Sequence, residues 1–163
     1  MKAVIQRVSG ARVDIERGVD PRGVKIFDTP GCIKNGYMIL LGVVEGDTRE
    51  EAELLAKKVA ELRIFSDENG KMNLSVLDVD GSILVVSQFT LCADLAKGRR
   101  PSFVHSAAPQ IANELYEYFC SQLRARGVKD VQTGEFGADM QVTLVNDGPV
   151  TIIMNTDEWR KDK

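Results

Sequence analysis

The spacing of hydrophobic positions predicts two helices in a chain whose other apolar segments resemble strands. Thr48 and Glu51 have the T-x-x-E spacing of a capping box at a helix N-terminus. The apolar residues that follow share one helical face: Ala52, Leu55, Ala56, Val59 and Leu62. A second helix is predicted over residues 109–126, with Gly127 placed to end it. Its apolar residues recur at every fourth position: Ile111, Leu115, Phe119 and Leu123.

Several other segments have the patterns of strands. Residues 3–15 alternate imperfectly, which predicts two strands separated by a turn near Ser9 and Gly10. A mostly apolar run from Tyr37 to about residue 46 predicts a strand buried on both faces. A short strand is predicted at residues 64–65, and a longer one at residues 82–91.

The remaining segments are rich in turn residues. Residues 16–36 contain four glycines and two prolines, which predicts an extended hairpin or loop insertion with a short strand at residues 24–27. Val142 and Leu144 alternate with polar neighbours and predict a strand, followed by a turn at residues 147–149 and a last strand. Many strands and two helices predict one mixed α/β domain over all 163 residues, with both helices on one side of a sheet.

Composition narrows the possible chemistry. Apolar residues make up 44% and charged residues 28% of the chain, as in ordinary globular proteins. No apolar run is long enough to cross a membrane, and the N-terminus lacks the apolar core of a secretory signal, so a cytoplasmic protein is expected. His105 is the single histidine and the three cysteines form no C-x-x-C pair, so we expect no metal site. The P-loop pattern is also missing.

The segment Ser87-Gln88-Phe89-Thr90 places neutral hydrogen-bonding side chains at the end of an apolar strand. If the strand continues, Ser87 and Phe89 face one side while Gln88 and Thr90 face the other. Backbone amides at a strand end can hold a carbonyl oxygen or a developing oxyanion without any charged side chain. A half-exposed edge strand has the same pattern, so the residues alone leave both interpretations open.

Two further segments are candidates for binding. Lys97, Arg99 and Arg100 cluster shortly before Phe103, which suits phosphate contact with base stacking, although such charge clusters often only face water. The other segment is the predicted turn that contains Gly148 and Pro149. Because only about 5–6% of X-Pro bonds in folded proteins are cis, the pattern alone favours a trans bond there.

Two alternative functions remain open from the residues. A cysteine or serine hydrolase could use Cys92 or Ser87 with His105, although the chain has no G-x-S-x-G nucleophile elbow. A non-catalytic RNA-binding module could use the basic cluster, although the net charge is −3 and aromatic residues make up only 6%.

Six segments together carry a resemblance to a known family: "MKAVIQRV", "LRIFSDENGKMNLSV", "VVSQFTLCAD", "KGRRPSF", "FGADMQV" and "NDGPVT". In this order, and over nearly the whole chain, they resemble the D-aminoacyl-tRNA deacylases. The resemblance implies a fold of mixed, largely antiparallel β-sheets layered β/β/α with two main helices. Residues 16–36 look longer than the family hairpin, which leaves their surface role open.

The resemblance implies a homodimer that hydrolyses the ester between a D-amino acid and the 3′-terminal adenosine of tRNA. It also implies removal of glycine mischarged on tRNA(Ala). The implied catalytic residues are Ser87, Gln88, Phe89 and Thr90, with Leu91 lining the same pocket. The implied chirality-selecting residues are Gly148 and Pro149, joined by a cis bond and inserted from the partner subunit, with Arg7 fixing their loop. Lys97, Arg99 and Arg100 are the tRNA contacts, and no cofactor is expected.

The implied substrate explains a site without a strong nucleophile. The ester is activated, and the neighbouring 2′-hydroxyl can help to activate a water. We therefore expect Thr90 to contact the substrate without acting as an indispensable nucleophile. Backbone carbonyls of Gly148 and Pro149 would exclude an L side chain by a clash and let glycine pass.

Overall fold

The computed structural model describes residues 1–96 and 98–159. The strands, in chain order, are β1 Lys2–Val19, β2 Lys25–Ile33, β3 Gly36–Gly42, β4 Phe65–Ser66, β5 Met72–Leu74, β6 Ser82–Ser87, β7 Val131–Thr133 and β8 Gln141–Asn155. The helices are α1 Arg49–Ala60 and α2 Pro109–Ala125, and 3₁₀ turns lie at Phe89–Cys92 and Thr156–Trp159. The mixed α/β fold with two helices is therefore as predicted.

The first strand organises the main sheet. The sheet has the order β2-β1-β3-β6-β7, and β8 also pairs with β1. The first half of β1 pairs antiparallel with β3 and its second half with β2, while β8 runs antiparallel to it from Lys2 to Asp14. The predicted turn at Ser9 and Gly10 is wrong, because β1 continues through it with irregularities in its pairing to β8 between Gln6 and Gly10. The β3–β6 and β6–β7 pairs are parallel.

The hairpin predicted over residues 16–36 is present, but its second strand is longer than residues 24–27. Strand β2 begins at Lys25 and continues to Ile33, because β1 pairs with it through Ala11. Near the tip, Lys25 Nζ and Glu16 Oε2 lie 2.7 Å apart. Val19 and Phe27 are 60% and 44% exposed, so this outer part of the hairpin stands away from the core.

The helices pack on one face of the sheet. Thr48 and Glu51 form the predicted capping box, and the predicted stripe of α1 is buried from Ala52 to Val59. In α2 the buried residues are Leu115, Tyr116, Phe119, Cys120 and Leu123. Ile111 is 50% exposed, so the predicted stripe of α2 begins one turn too early. Burying each large apolar side chain contributes roughly 1.5–3 kcal/mol, which makes this layer the main stabilising element.

The opposite face of the sheet carries a second, smaller apolar cluster. Its buried members are Val8, Ala11, Val13, Ile15, Ile33, Met38, Leu84 and Val86. Partly buried residues of the C-terminal segment, among them Met140 and Val142, pack against it. Over the described part of the chain, no helix has the length and apolar character needed to cross a membrane.

Candidate functional site

The polar segment at the end of β6 turns instead of continuing as a strand. Strand β6 ends at Ser87, and the Gln88 amide donates to the Leu41 carbonyl over 2.8 Å. The chain then forms the 3₁₀ turn Phe89–Cys92, so the predicted alternation of Ser87 and Phe89 against Gln88 and Thr90 is wrong. The Gln88 side-chain amide donates to Thr90 Oγ1, which links the two polar side chains across the turn.

The turn packs closely on β3. A Cβ atom added to Gly42 would lie 3.0 Å from Leu91 Cβ and 3.1 Å from the Gln88 carbonyl oxygen. Behind the turn, the buried Cys92 thiol donates to the Val43 carbonyl over 3.4 Å. Glycine at position 42 is therefore what allows the turn to approach the strand.

A cavity of about 680 Å³ opens beside the turn. Ser87, Gln88 and Phe89 line one side of the cavity. Thr90 lies on the same turn and is exposed, and it is linked to the lining by its hydrogen bond with Gln88. The facing wall contains Phe136 and Met140 from the segment before β8. From the sequence, this wall was not predicted: the residues belong to the motif FGADMQV of the family resemblance, but no site role was assigned to them, because a loop segment carries no periodic signal.

Tyr116 of α2 also lines the cavity, and its hydroxyl donates to the Val85 carbonyl over 2.9 Å. Burial raises the pKa of this phenol, so it stays protonated at neutral pH.

Burial likewise raises the pKa of the Cys92 thiol, which disfavours the thiolate that a cysteine nucleophile needs. The His105 side chain is 62% exposed and lies 4.0 Å from Asp94, whereas the Cys92 thiol contacts the Val43 carbonyl. The described residues contain no His, Cys, Asp and Glu cluster able to hold a metal.

The segment with Arg99 and Arg100 is followed closely along the chain by Phe103, which lines the cavity. Phe89 and Phe103 pack edge to face with ring centroids 4.9 Å apart, and Phe89 is 58% exposed. Asp94 and Ser102 exchange two backbone hydrogen bonds of 2.8 and 2.9 Å, which close the loop at its base. Within the described chain, Arg99 and Arg100 are exposed and form no ion pair. Lys97, predicted to act with them, lies outside the described residues.

The predicted turn near the C-terminus is an excursion from a continuous strand. In the β1–β8 pair, Val8 lies opposite Asn146 and Gln6 opposite Thr151, so residues 147–150 leave the ladder. The Gly148-Pro149 peptide bond is cis, not trans as the turn pattern alone favoured. The Val150 amide donates to Asn146 Oδ1 over 3.0 Å, closing the excursion at its base. We call residues 146–150 the Gly-Pro loop.

Arg7 holds the Gly-Pro loop from β1. Its Nε donates to the Asp147 carbonyl over 3.0 Å, and its side chain is only 12% exposed. A Cβ atom at Gly148, whose φ is +140°, would lie 3.1 Å from Arg7 Nη2. The same Cβ would lie 2.7 Å from Val150 Cγ2 and 3.0 Å from the Val150 nitrogen, so the positive φ and the close approach of Val150 favour glycine there. Residues 147–149 themselves are exposed.

Within one chain, the turn and the Gly-Pro loop lie at different ends of the sheet. Arg7 is opposite Tyr37, which is opposite Ile83, at the start of β6. Ser87 is opposite Leu41, at the other end of the same strand pair. Four residues along a strand span roughly 13 Å. The structure therefore brings Ser87, Gln88, Phe89, Thr90 and Leu91 together, and separately Arg7, Gly148 and Pro149.

Comparisons with known proteins agree over nearly the whole chain. The family model described as D-Tyr-tRNA(Tyr) deacylase matches residues 4–155. A D-aminoacyl-tRNA deacylase of Thermosipho africanus (strain TCF52B) is 53% identical over 156 residues, covering 96% of this chain and 97% of that protein. A D-aminoacyl-tRNA deacylase of Chloroflexus aurantiacus (strain ATCC 29364 / DSM 637 / Y-400-fl) is 55% identical over 160 residues, covering 98% and 93%.

Solved structures have the same fold. A protein described as c-Myc DNA Unwinding Element Binding Protein superposes with a TM-score of 0.82 at 40% identity, covering 95% of this chain and 98% of that one. A probable eukaryotic D-amino acid tRNA deacylase superposes with a TM-score of 0.74 at 19% identity, covering 94% and 97%, which supports the fold alone.

Proposed function

Since the chain belongs to the D-Tyr-tRNA(Tyr) deacylase family, hydrolases of the aminoacyl-tRNA ester bond, we propose how its site performs and restricts this reaction. The substrate is an aminoacyl-tRNA whose amino acid is of the D form, or is glycine on tRNA(Ala). The L-aminoacyl ester is rejected. The products are the free amino acid and the free 3′ end of the tRNA.

The turn beside the cavity carries this proposal. A helical turn provides no internal acceptor for its first amides, so the N–H groups of Phe89 and Thr90 can both point to a substrate oxygen. When water adds to the ester carbonyl, its oxygen becomes an oxyanion that these donors stabilise. One such donor contributes roughly 3–4 kcal/mol to the transition state.

The remaining steps need no protein base. The 2′-hydroxyl of the terminal ribose orients the attacking water and accepts its proton while passing its own proton to the 3′ oxygen. The bond from the carbonyl carbon to the 3′ oxygen breaks, so the products are the free carboxylic acid and the 3′-hydroxyl. Thr90 accepts a hydrogen bond from Gln88 and has no histidine or carboxylate partner in the described structure, so it orients the ester instead of attacking it.

The cavity suits the terminal aminoacyl-adenosine. Its volume of about 680 Å³ lies within the range of roughly 300–1,000 Å³ that is typical of small-molecule sites. Phe89 and Phe136 offer aromatic surface for the base, whereas Ser87 and Gln88 supply polar groups for the ester end. Arg99 and Arg100, which precede the cavity residue Phe103 by a few positions, would meet the phosphates of the acceptor end, as Lys97 was predicted to do.

Chiral selection requires a second copy of the chain. The Gly-Pro loop is exposed, and it lies at the opposite end of the β3–β6 pair from the turn of its own subunit. In a homodimer, the loop of one subunit enters the cavity of the other. The carbonyls of Gly148 and Pro149 then occupy the space that an L side chain would need, and glycine passes because it has no side chain. A cytoplasmic location, where charged tRNA is used, stays a prediction.

The direct test is hydrolysis of matched D-Tyr-tRNA and L-Tyr-tRNA by the wild-type protein, with release of free tyrosine as the measurement. We expect turnover of the D ester and little or none of the L ester. Hydrolysis of both isomers at similar rates contradicts chiral selection. Binding of tRNA without release of D-tyrosine would instead support the non-catalytic module.

A mixed dimer tests the shared site. Gly42→Ala should give a slow but selective enzyme, and Arg7→Ala a fast but unselective one. The mixed dimer contains one Gly42→Ala subunit and one Arg7→Ala subunit. If the sites are shared, one site has an intact turn and an intact loop, and the other site has both altered. We therefore expect about half of the wild-type D rate with nearly wild-type selectivity. Low selectivity in the mixed dimer would mean that each subunit uses its own loop.

A further inference from the structure

The guanidinium that holds the Gly-Pro loop is itself held from a second element. Besides its contact with the Asp147 carbonyl, Arg7 donates through Nη1 to the Ile64 carbonyl over 2.6 Å. Ile64 lies in the connection between α1 and β4. The orientation of Arg7 is therefore set by this connection as well as by the loop.

Tyr37 fixes the same connection. Its hydroxyl donates to the Leu62 carbonyl over 2.8 Å, and its ring stacks on Phe65 with centroids 5.2 Å apart and planes inclined by 17°. Arg7 and Tyr37 are directly opposite each other in the β1–β3 pair, so their side chains leave the sheet on the same face. Two neighbouring strands thus reach the carbonyls of residues 62 and 64 with adjacent side chains.

Burial makes this arrangement persistent. Tyr37 is fully buried, and its burial raises the pKa of the phenol, so the hydroxyl remains a donor at neutral pH. Leu62 and Ile64 belong to no helix or strand, so their carbonyls have no place in a regular ladder. A buried carbonyl that loses its donor bears a desolvation cost, which favours a shift of the segment.

We propose that Tyr37 is a positioning residue for chiral selection, acting through the connection at residues 62–65 and through Arg7 on the Gly-Pro loop. This inference rests on the proposed function of that loop. Tyr37 touches no substrate in this scheme. Its role is to keep the Ile64 carbonyl where Arg7 needs it, so that the loop presents its carbonyls in one position.

Tyr37→Phe tests the proposal because it removes only the hydroxyl and keeps the stacking ring. The primary readout is amide hydrogen exchange of the peptide that contains Val150, whose amide closes the Gly-Pro loop. We expect exchange about fivefold faster, the effect of roughly one neutral hydrogen bond. Unchanged exchange of this peptide would overturn the proposal.

Tyr118→Phe is the matched control. This change also removes a donating hydroxyl, which contacts Glu53 over 2.5 Å between the two helices and does not involve the Gly-Pro loop. It should leave exchange at Val150 unchanged. Equal acceleration in both variants would show a general loss of stability and would overturn the specific role of Tyr37.

The route through Arg7 is tested with the double variant. If Tyr37 acts through Arg7, then adding Tyr37→Phe to Arg7→Ala should not speed exchange at Val150 further. Additive effects would contradict this route. Exchange does not depend on catalysis, so a wild-type protein that failed to hydrolyse D-Tyr-tRNA would refute the proposed function while leaving this result interpretable.

The catalytic readout is the D-to-L ratio of kcat/KM. In Tyr37→Phe we expect a fall of this ratio by up to about fivefold while the D rate stays within about twofold of the wild type. A slower D rate with an unchanged ratio would mean that Tyr37 supports the cavity instead of the loop, and would overturn the assignment.

Discussion

The turn after β6 and the Gly-Pro loop both present backbone groups, but the protein supports them in different ways. The turn is packed on β3, with the Gln88 amide bonded to the Leu41 carbonyl and little space for a Cβ atom at Gly42. The loop leaves its ladder, and residues 147–149 are exposed. The turn must hold its hydrogen-bond donors in fixed positions to stabilise the transition state. The Gly-Pro loop must instead reach into the cavity of the partner subunit to exclude L side chains. Rate and selectivity should therefore be separable by mutation.

The largest effect is expected from Gly42→Ala. The added Cβ would lie 3.0 Å from Leu91 Cβ and 3.1 Å from the Gln88 carbonyl, so these neighbours must give by a few tenths of an ångström. A misplacement of about 1 Å at a reacting centre can cost about a hundredfold in rate, so we expect a loss of up to that size in kcat on D-Tyr-tRNA. The D-to-L ratio should stay close to the wild-type value.

Gly10→Ala is the control for Gly42→Ala, because its added Cβ would meet only the Ile33 carbonyl at 3.7 Å, an ordinary contact. It should retain nearly full activity. Circular dichroism and a thermal unfolding curve would establish that both variants are folded. A folded Gly42→Ala protein with wild-type kcat would contradict the role of the turn.

The opposite phenotype is expected from Arg7→Ala. This change removes two hydrogen bonds from a charged donor, to the Asp147 and Ile64 carbonyls. Such bonds contribute roughly 1.5–3 kcal/mol each, so the D-to-L ratio of kcat/KM should fall by about tenfold or more. The D rate should change little, because the turn and cavity of the partner remain intact.

Arg7→Lys sharpens this test. Lysine keeps the positive charge but lacks the planar fork with which arginine reaches two acceptors. We expect a ratio between those of the wild type and Arg7→Ala. A lysine variant with full selectivity would show that charge alone, and not the two directed bonds, holds the Gly-Pro loop.

A smaller effect is expected from Thr90→Ala. The hydroxyl accepts one hydrogen bond from Gln88, and the proposed oxyanion donors are backbone groups that the mutation keeps. The loss of kcat should be about fivefold or less, the value of roughly one neutral hydrogen bond. A thousandfold loss in a single-turnover assay would instead identify Thr90 as the nucleophile.

Arg99 and Arg100 should affect binding more than chemistry. Replacing Arg99 and Arg100 with alanine should raise KM for tRNA substrates several-fold and leave kcat unchanged. The slope of log KM against log salt should fall by roughly one for each tRNA phosphate that an arginine neutralises in the wild type. An unchanged salt dependence would mean that this loop only faces water.

The parts of the molecule that the sequence predicted correctly have local causes. The capping box of Thr48 and Glu51 and the apolar stripe of α1 lie within one helix, and no distant contact is needed to specify them. The turn expected at Ser9 and Gly10 did not form, because β1 is held on both sides by pairing with β2, β3 and β8. Such pairing comes from residues far along the chain.

At the site, too, local features were predicted from the sequence and long-range contacts were not. The polar residues 87–90 were identified, but their turn was not, because it depends on the contact with Gly42 about 45 positions away in sequence. The anchor of Arg7 at the Ile64 carbonyl was missed for another reason. A backbone acceptor is present at every position, so no residue type reveals which carbonyl a guanidinium will meet.

The smallest effect is expected from His105→Ala, which distinguishes the turn-based site from a histidine-assisted hydrolase. The imidazole is 62% exposed and lies 4.0 Å from Asp94, which is outside the turn. In the described chain no other histidine exists to replace it, so a triad would lose its only base. We expect kcat and KM on D-Tyr-tRNA within about twofold of the wild type. If His105 were the general base, its loss would lower kcat by about a hundredfold or more. The same variant should keep the pH profile of the wild type. Loss of an inflection from that profile, together with a large fall in kcat, would return the assignment to a cysteine or serine nucleophile.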